Sequence, residues 1–158
     1  MAQLFAGTEL INSSGEKISP EVLLKFEKIG LYFSSNWCPD CKPFTPMLAQ
    51  FYDEVNEDVE RFEVIYISSD EDETAQLKYM KEKHGEWFAL PVGDAMTKDF
   101  KKKFQTFAGK EQAEMGDTPR KNGIPTLIVL NSDGSMVCDG DVAGNAIKKM
   151  GPKAFDSW

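Results

Sequence analysis

Gly30-Leu31-Tyr32-Phe33-Ser34-Ser35-Asn36-Trp37-Cys38-Pro39-Asp40-Cys41 carries no charge from Gly30 to Pro39 and then closes on two cysteines three positions apart. Its first half, with Ile29, is an uncharged apolar run of the kind found in a strand buried on both faces near the middle of a sheet. Beyond it, from Pro39 to about Val55, Phe44, Met47, Leu48, Phe51, Tyr52 and Val55 recur at intervals of three and four, the pattern of one buried helical face. Pro46 lies deep in that pattern and predicts a kink. The cysteines therefore stand where a strand hands over to a helix. A sulfur at the start of a helix faces unpaired backbone N–H groups and the positive end of the dipole, both of which favour thiolate. Pro39 lacks a donor and suits the first helical position, which leaves the N–H groups of Asp40 and Cys41 to face Cys38. Cys41, one turn on, is near enough to close a disulfide.

The same spacing serves zinc sites, but a strand before the pair and a helix after it turn the reading towards redox chemistry. A zinc reading would need His84 and Cys138, which lack ligand spacing, and there is no second CxxC. No metal and no bound cofactor are expected. His84 reads as a surface or capping residue at a helix C-terminus, and Cys138 as a half-buried, inert thiol on a hairpin strand. Three cysteines in 158 residues make no disulfide framework. With no apolar leader or spanning stretch, the expectation is a single-domain monomer in the reducing cytoplasm, with nuclear entry open and no membrane partner. A net charge of −8 argues against nucleic acid as a partner.

Elsewhere, Leu10-Ile11 and Lys17-Ile18 around Ser13-Ser14-Gly15 predict an N-terminal hairpin. Ser19-Pro20 predicts a capped short helix through Phe26. Phe62 to Ser68 reads as a second buried strand. The acidic run Asp70 to Glu73 reads as the solvated opening of a helix from about Asp72 to Lys83. Trp87 to Val92 is an apolar connection, and Asp94 to Phe107 a helix with Phe100, Phe104 and Phe107 on one face. Ala108 to Asn122 is polar and reads as a long loop, functional or mobile. Thr126 to Leu130 and Ser135 to Cys138 form a hairpin about Asn131 to Gly134, and Asp141 caps a last helix to about Met150. A mixed sheet with helices on both faces follows.

The chain resembles the thioredoxin superfamily in Trp37-Cys38-Pro39-Asp40-Cys41 after a buried strand, in Pro46, and in Gly123-Ile124-Pro125-Thr126 before the terminal hairpin. Phe33 to Cys38, Phe44-Thr45-Pro46, Phe51-Tyr52, Ile67 to Glu71, Trp87 to Pro91 and the Phe155 to Trp158 tail are similar to the tryparedoxin and nucleoredoxin branch. The resemblance implies an α/β thioredoxin fold with an N-terminal β-hairpin extension. It also implies a protein-disulfide reductase with Cys38 as nucleophile, Cys41 as resolving cysteine and Pro125 as a cis proline. Trp37, Ile124 and Pro125 would contact substrate, with Pro39 and Asp40 shaping the site. The partners expected are disulfide-containing proteins such as peroxidases, and a low-molecular-weight thiol or a reductase as electron donor. The alternative is a thioredoxin-fold binding or regulatory module with little turnover.

Two departures from the family pattern matter. Asp40 stands where tryparedoxins have a second proline, and an anion there opposes thiolate formation unless it points to water. Tyr32 stands where thioredoxin has a buried aspartate, which leaves Asp40, Tyr32 or water to exchange protons with Cys41.

Overall fold

The computed structural model describes residues 2–158 and arranges their strands in one seven-stranded sheet of order β2-β1-β5-β4-β3-β6-β7. β1 (Leu10–Ile11) and β2 (Lys17–Ile18) form the expected hairpin; β3 is Lys28–Ser34, β4 Phe62–Ser68, β5 Phe88–Ala89, β6 Thr126–Asn131 and β7 Met136–Cys138. β3 lies inside the sheet next to the central β4, parallel to it through Lys28↔Phe62 to Ser34↔Ser68 and antiparallel to β6 on its other side. Among the described residues the α-helices are α1 (Cys41–Val55), α2 (Glu73–Lys83), α3 (Ala95–Lys103), α4 (Gln112–Met115) and α5 (Val142–Met150).

Alternation along the central strands divides the interior in two. Tyr32, Val64, Tyr66, Leu127 and Val129 face a core shared with Phe44, Leu48 and Phe51 of α1, Tyr79 and Met80 of α2, and Ala143 and Ile147 of α5. Ile29, Leu31, Phe33, Ile65, Ile67, Ile128 and Leu130 face the other, closed by Phe100 of α3 and by Phe5, Leu23 and Phe26 near the N-terminus. Gly30 admits this layering: a Cβ there would lie 2.8 Å from the Phe62 ring and 2.9 Å from Leu127 Cδ1.

Several expectations change. The apolar connection after Trp87 contains β5, which pairs parallel with β4 at Ile65↔Phe88 and antiparallel with β1 at Ile11↔Ala89. Two residues are too short to show a period, yet they splice the N-terminal hairpin into the main sheet. The Ser19-capped segment is a 3-10 helix, Pro20–Lys25, with Ser19 Oγ accepting from the Glu21 N–H. α3 stops at Lys103, short of Phe107, because Gln105 turns to φ 52° and its carbonyl instead accepts from the N–H groups of Lys121 and Asn122. Asp141 precedes α5 without a side-chain capping bond.

The 108–122 stretch is built rather than open. It holds a 3-10 helix at Gly109–Glu111 followed by α4, and its ends are pinned where Thr106 bridges Asn122. Glu111 turns inward, its Oε2 accepting from Lys101 Nζ at 2.6 Å and its Oε1 from the Ala108 N–H at 2.9 Å. Met115 is buried. The polar composition that suggests a loop thus includes an ion pair with both side chains nearly shielded from water.

Candidate active site

β3 ends at Ser34, and a turn from Ser35 to Asp40 carries the chain into α1. That turn rests on the segment after β4. Asp70 Oδ1 accepts from the Asn36 N–H at 2.8 Å and from Ser35 Oγ at 3.2 Å. Its Oδ2 accepts from Tyr66 Oη at 2.5 Å and Ser68 Oγ at 2.8 Å. Asp70 is therefore no part of a solvated acidic face. It is buried at the end of β4, while Asp72 does the expected capping, accepting from the Ala75 N–H. The Ser69 N–H reaches the Ser34 carbonyl at 2.9 Å, and the Ser69 carbonyl accepts the Trp37 indole N–H at 2.9 Å.

Helix α1 begins at Cys41, with Asp40 as its cap residue, so Cys38 lies in the turn before the helix rather than at its first position. Of the two N–H groups expected to face the sulfur, the one from Cys41 does so, at 3.2 Å from Cys38 Sγ. Pro39 and Asp40 are exposed, and the Asp40 carboxylate meets water, which screens its charge from the cysteines. Cys38 keeps 4% of its surface, whereas Cys41 has none. Burial, with the hydrogen bond to Cys38, pushes the Cys41 thiol up to about 12 against the weaker opposing pull of the Ser34 hydroxyl. Cys41 is held as a thiol at neutral pH.

From the other side comes the Gly123-Ile124-Pro125 turn before β6, with the Ile124–Pro125 bond cis. The Cys38 thiol approaches the Ile124 carbonyl at 3.9 Å. Trp37 is 39% exposed beside it and carries the Lys110 ammonium 3.9 Å from its ring centroid. Cys38, Cys41, Trp37, Ile124 and Pro125 are thus brought together.

Behind Cys41 lies a buried set of hydroxyls that the sequence did not announce. Thr45 Oγ1 lies 2.6 Å from both Tyr32 Oη and Tyr79 Oη, and Tyr79 Oη 2.9 Å from Ser34 Oγ. Thr45 also donates to the Cys41 carbonyl at 3.0 Å. Tyr32 therefore reaches Cys41 through Thr45, and Ser34 joins the set through Tyr79. A cleft of about 650 Å³ lined in part by Thr45, Tyr79 and Glu82 opens this set to solvent. The only early signal was polar residues interrupting apolar patterns.

His84 caps the C-terminal end of α2, as expected, but is partly buried there rather than at the surface. Its Nδ1 accepts the Trp87 indole N–H at 2.9 Å, its Nε2 is buried without a partner, and it packs edge-on against Tyr66 and Tyr79. Burial lowers its pKa to about 3. Cys138 is fully within the core rather than half-buried, and burial raises its thiol pKa. Among the described residues, no three His, Cys, Asp or Glu side chains are grouped to hold a metal, and no helix is long and apolar enough to cross a membrane.

Residues 27–136 match the family model described as thioredoxin-like. The chain is 36% identical over 126 residues to tryparedoxin of Trypanosoma brucei brucei, covering 80% of this chain and 74% of that protein. It is 32% identical over 146 residues to a probable nucleoredoxin 1 of Arabidopsis thaliana, where 92% of this chain spans 22% of the relative. Among solved structures, tryparedoxin from Trypanosoma brucei superposes with a TM-score of 0.74 at 30% identity, covering 99% of this chain and 96% of the other. A thioredoxin from Wuchereria bancrofti gives 0.71 at 32% identity, covering 97% and 94%. Agreement over nearly the full length of both structures makes this sheet and its helices a thioredoxin fold, and the chain belongs to the thioredoxin-like family.

Proposed function

We propose that the protein is a disulfide reductase that cycles Cys38 and Cys41 between dithiol and disulfide. The observation that carries this reading is the Cys41 N–H on the Cys38 sulfur, with the Cys41 thiol buried directly behind it. In the cycle the Cys38 thiolate attacks one sulfur of a target disulfide; a mixed disulfide forms and the first target thiolate leaves, taking a proton from solvent. Cys41 then loses its proton and attacks Cys38 Sγ. The Cys38–Cys41 bond forms, the second target thiol leaves, and two electrons have passed to the target. With the two cysteines one turn apart, this second attack has a high effective concentration and outpaces escape of the mixed disulfide.

The buried hydroxyls of Ser34, Tyr79 and Thr45 carry the Cys41 proton towards the cleft. Trp37, Ile124 and Pro125 form the platform for an extended substrate, whose backbone pairs beside Ile124. A low-molecular-weight thiol or a reductase returns the electrons. The solved complex of tryparedoxin II with glutathionylspermidine, at 25% identity and a TM-score of 0.70, supports a small thiol in that role. Disulfide-containing proteins such as peroxidases are the proposed acceptors, in the reducing cytoplasm.

Insulin reduction by dithiothreitol, with and without the protein, tests the reading. Wild type accelerates it, Cys38→Ser abolishes the acceleration, and Cys41→Ser accumulates a mixed disulfide visible by mass. Full turnover by Cys38→Ser protein would sink the mechanism. Absence of acceleration by wild type would favour a binding module instead.

A further inference from the structure

The 108–122 segment reaches the thiol site through a continuous set of contacts. Ser69, whose carbonyl holds the Trp37 indole, donates its hydroxyl to Glu111 Oε1 at 2.7 Å, and Glu111 is fixed in turn by Lys101. The residue before Glu111 is Lys110, and this anchoring sets its ammonium over the Trp37 ring. At the other end of the segment, Arg120 Nε donates to the Phe107 carbonyl at 2.7 Å, which lays the guanidinium against Gly123; a Cβ on Gly123 would be 2.5 Å from it. One cation thus stands on the residue before Cys38, and another beside the turn whose Ile124 carbonyl faces the same sulfur.

Among the described residues, neither Lys110 nor Arg120 pairs with a carboxylate, although the chain carries a net charge of −8. An acidic molecule repels anionic substrates at long range. Two exposed cations left unneutralised on the residues that flank the thiol offset that repulsion where a substrate docks, and the guanidinium retains N–H groups for a carboxylate.

We propose that Lys110 and Arg120 make this segment a carboxylate-selecting rim, so that disulfides flanked by acidic side chains are the preferred substrates. The inference rests on the disulfide-reductase reading above and names the substrate class of that same site. Lys110 acts by attracting the flank of the substrate and takes no part in the thiol chemistry.

Two synthetic peptide disulfides of one sequence, flanked by Glu in one and by Gln in the other, test it, with kcat/KM measured for wild type and Lys110→Glu. Wild type favours the Glu peptide by about fivefold, the size of one or two exposed charge contacts. The preference shrinks as salt is raised. Lys110→Glu reverses it, and thermal unfolding confirms that the variant is folded. Oxidised glutathione, which carries its carboxylates on a small molecule, is run beside the peptides; a parallel loss in the variant shows that the carboxylate itself is read. Rates for the two peptides within about twofold of each other in wild type, or a ratio that Lys110→Glu leaves in place, overturn the inference. Wild type failing to reduce the Gln peptide as well as insulin overturns the reductase reading instead, so the two failures are separable.

Discussion

Asp70 shows how one side chain can hold a reactive turn in place without touching it. Four donors converge on its carboxylate, and two of them, the Asn36 N–H and Ser35 Oγ, belong to the turn that presents Trp37 and Cys38. Removing it strands several buried donors at once. Asp70→Ala is expected to cost about 3 kcal/mol in urea unfolding. It should also lower kcat/KM for insulin about tenfold, since the turn loses its anchor. Asp70→Asn keeps the shape and one acceptor oxygen and should recover part of both. Unchanged activity in a folded Asp70→Ala protein would show that the turn is held by Ser69 alone. Asp70 was legible only as one acid among four; that it turns inward depends on Tyr66 and Ser68 lying on the same strand end and on Ser35 arriving from β3.

Among the elements, the 108–122 segment departs furthest from its sequence reading. Polarity and glycines argue for an open loop, yet the Lys101–Glu111 pair, with side chains 6% and 11% exposed, ties it to α3. Breaking such a pair from one side leaves a buried charge without its partner, whereas removing both charges is far milder. Lys101→Met is therefore expected to destabilise by about 3–5 kcal/mol, and Lys101→Met with Glu111→Leu by less, in a double-mutant cycle read by urea unfolding. A cost below about 1 kcal/mol for Lys101→Met would mean that the pair is open to water in solution. Helices α1, α2 and α5, by contrast, were legible to within a residue or two, α1 from the apolar period of its buried face and α2 and α5 from the acidic residues at their starts. Strand β5 was not, since two residues carry no period and its pairing depends on β1 and β4 lying on either side.

Across the whole molecule, two buried titratable groups shape stability against pH. Burial of Glu63 on β4 raises its pKa from 4.5 to about 8, despite the Val64 N–H it accepts at 2.8 Å, while burial of His84 lowers its pKa from 6.5 to about 3. Between pH 3 and 6.5 the unfolded chain binds a proton at His84 that the native state does not, so stability rises with pH. Between pH 4.5 and 8 the native state holds a proton on Glu63 that the unfolded chain has lost, so stability falls with pH. Together they give a rise to pH 4.5, a plateau to 6.5 and a fall of about 2 kcal/mol from there to pH 8. Glu63→Gln should let the rise continue to pH 6.5 and erase the fall beyond it, as read by unfolding at a series of pH values. A fall that persists in that variant would assign it to another group.

The thiol pair, its strand-to-helix junction and the layered α/β plan are written locally, because burial on one or two faces imposes a period on neighbouring residues and a CxxC needs only its own turn. What surrounds the sulfur is not local. The Ile124 carbonyl opposite Cys38, the hydroxyls behind Cys41, the Ser69–Asp70 brace and the cation over Trp37 come from segments up to 86 residues apart in the chain. Polar side chains leave the same mark in a sequence whether they end in water or on a buried partner. Only the folded chain decides which, by bringing the partner near or leaving the solvent there.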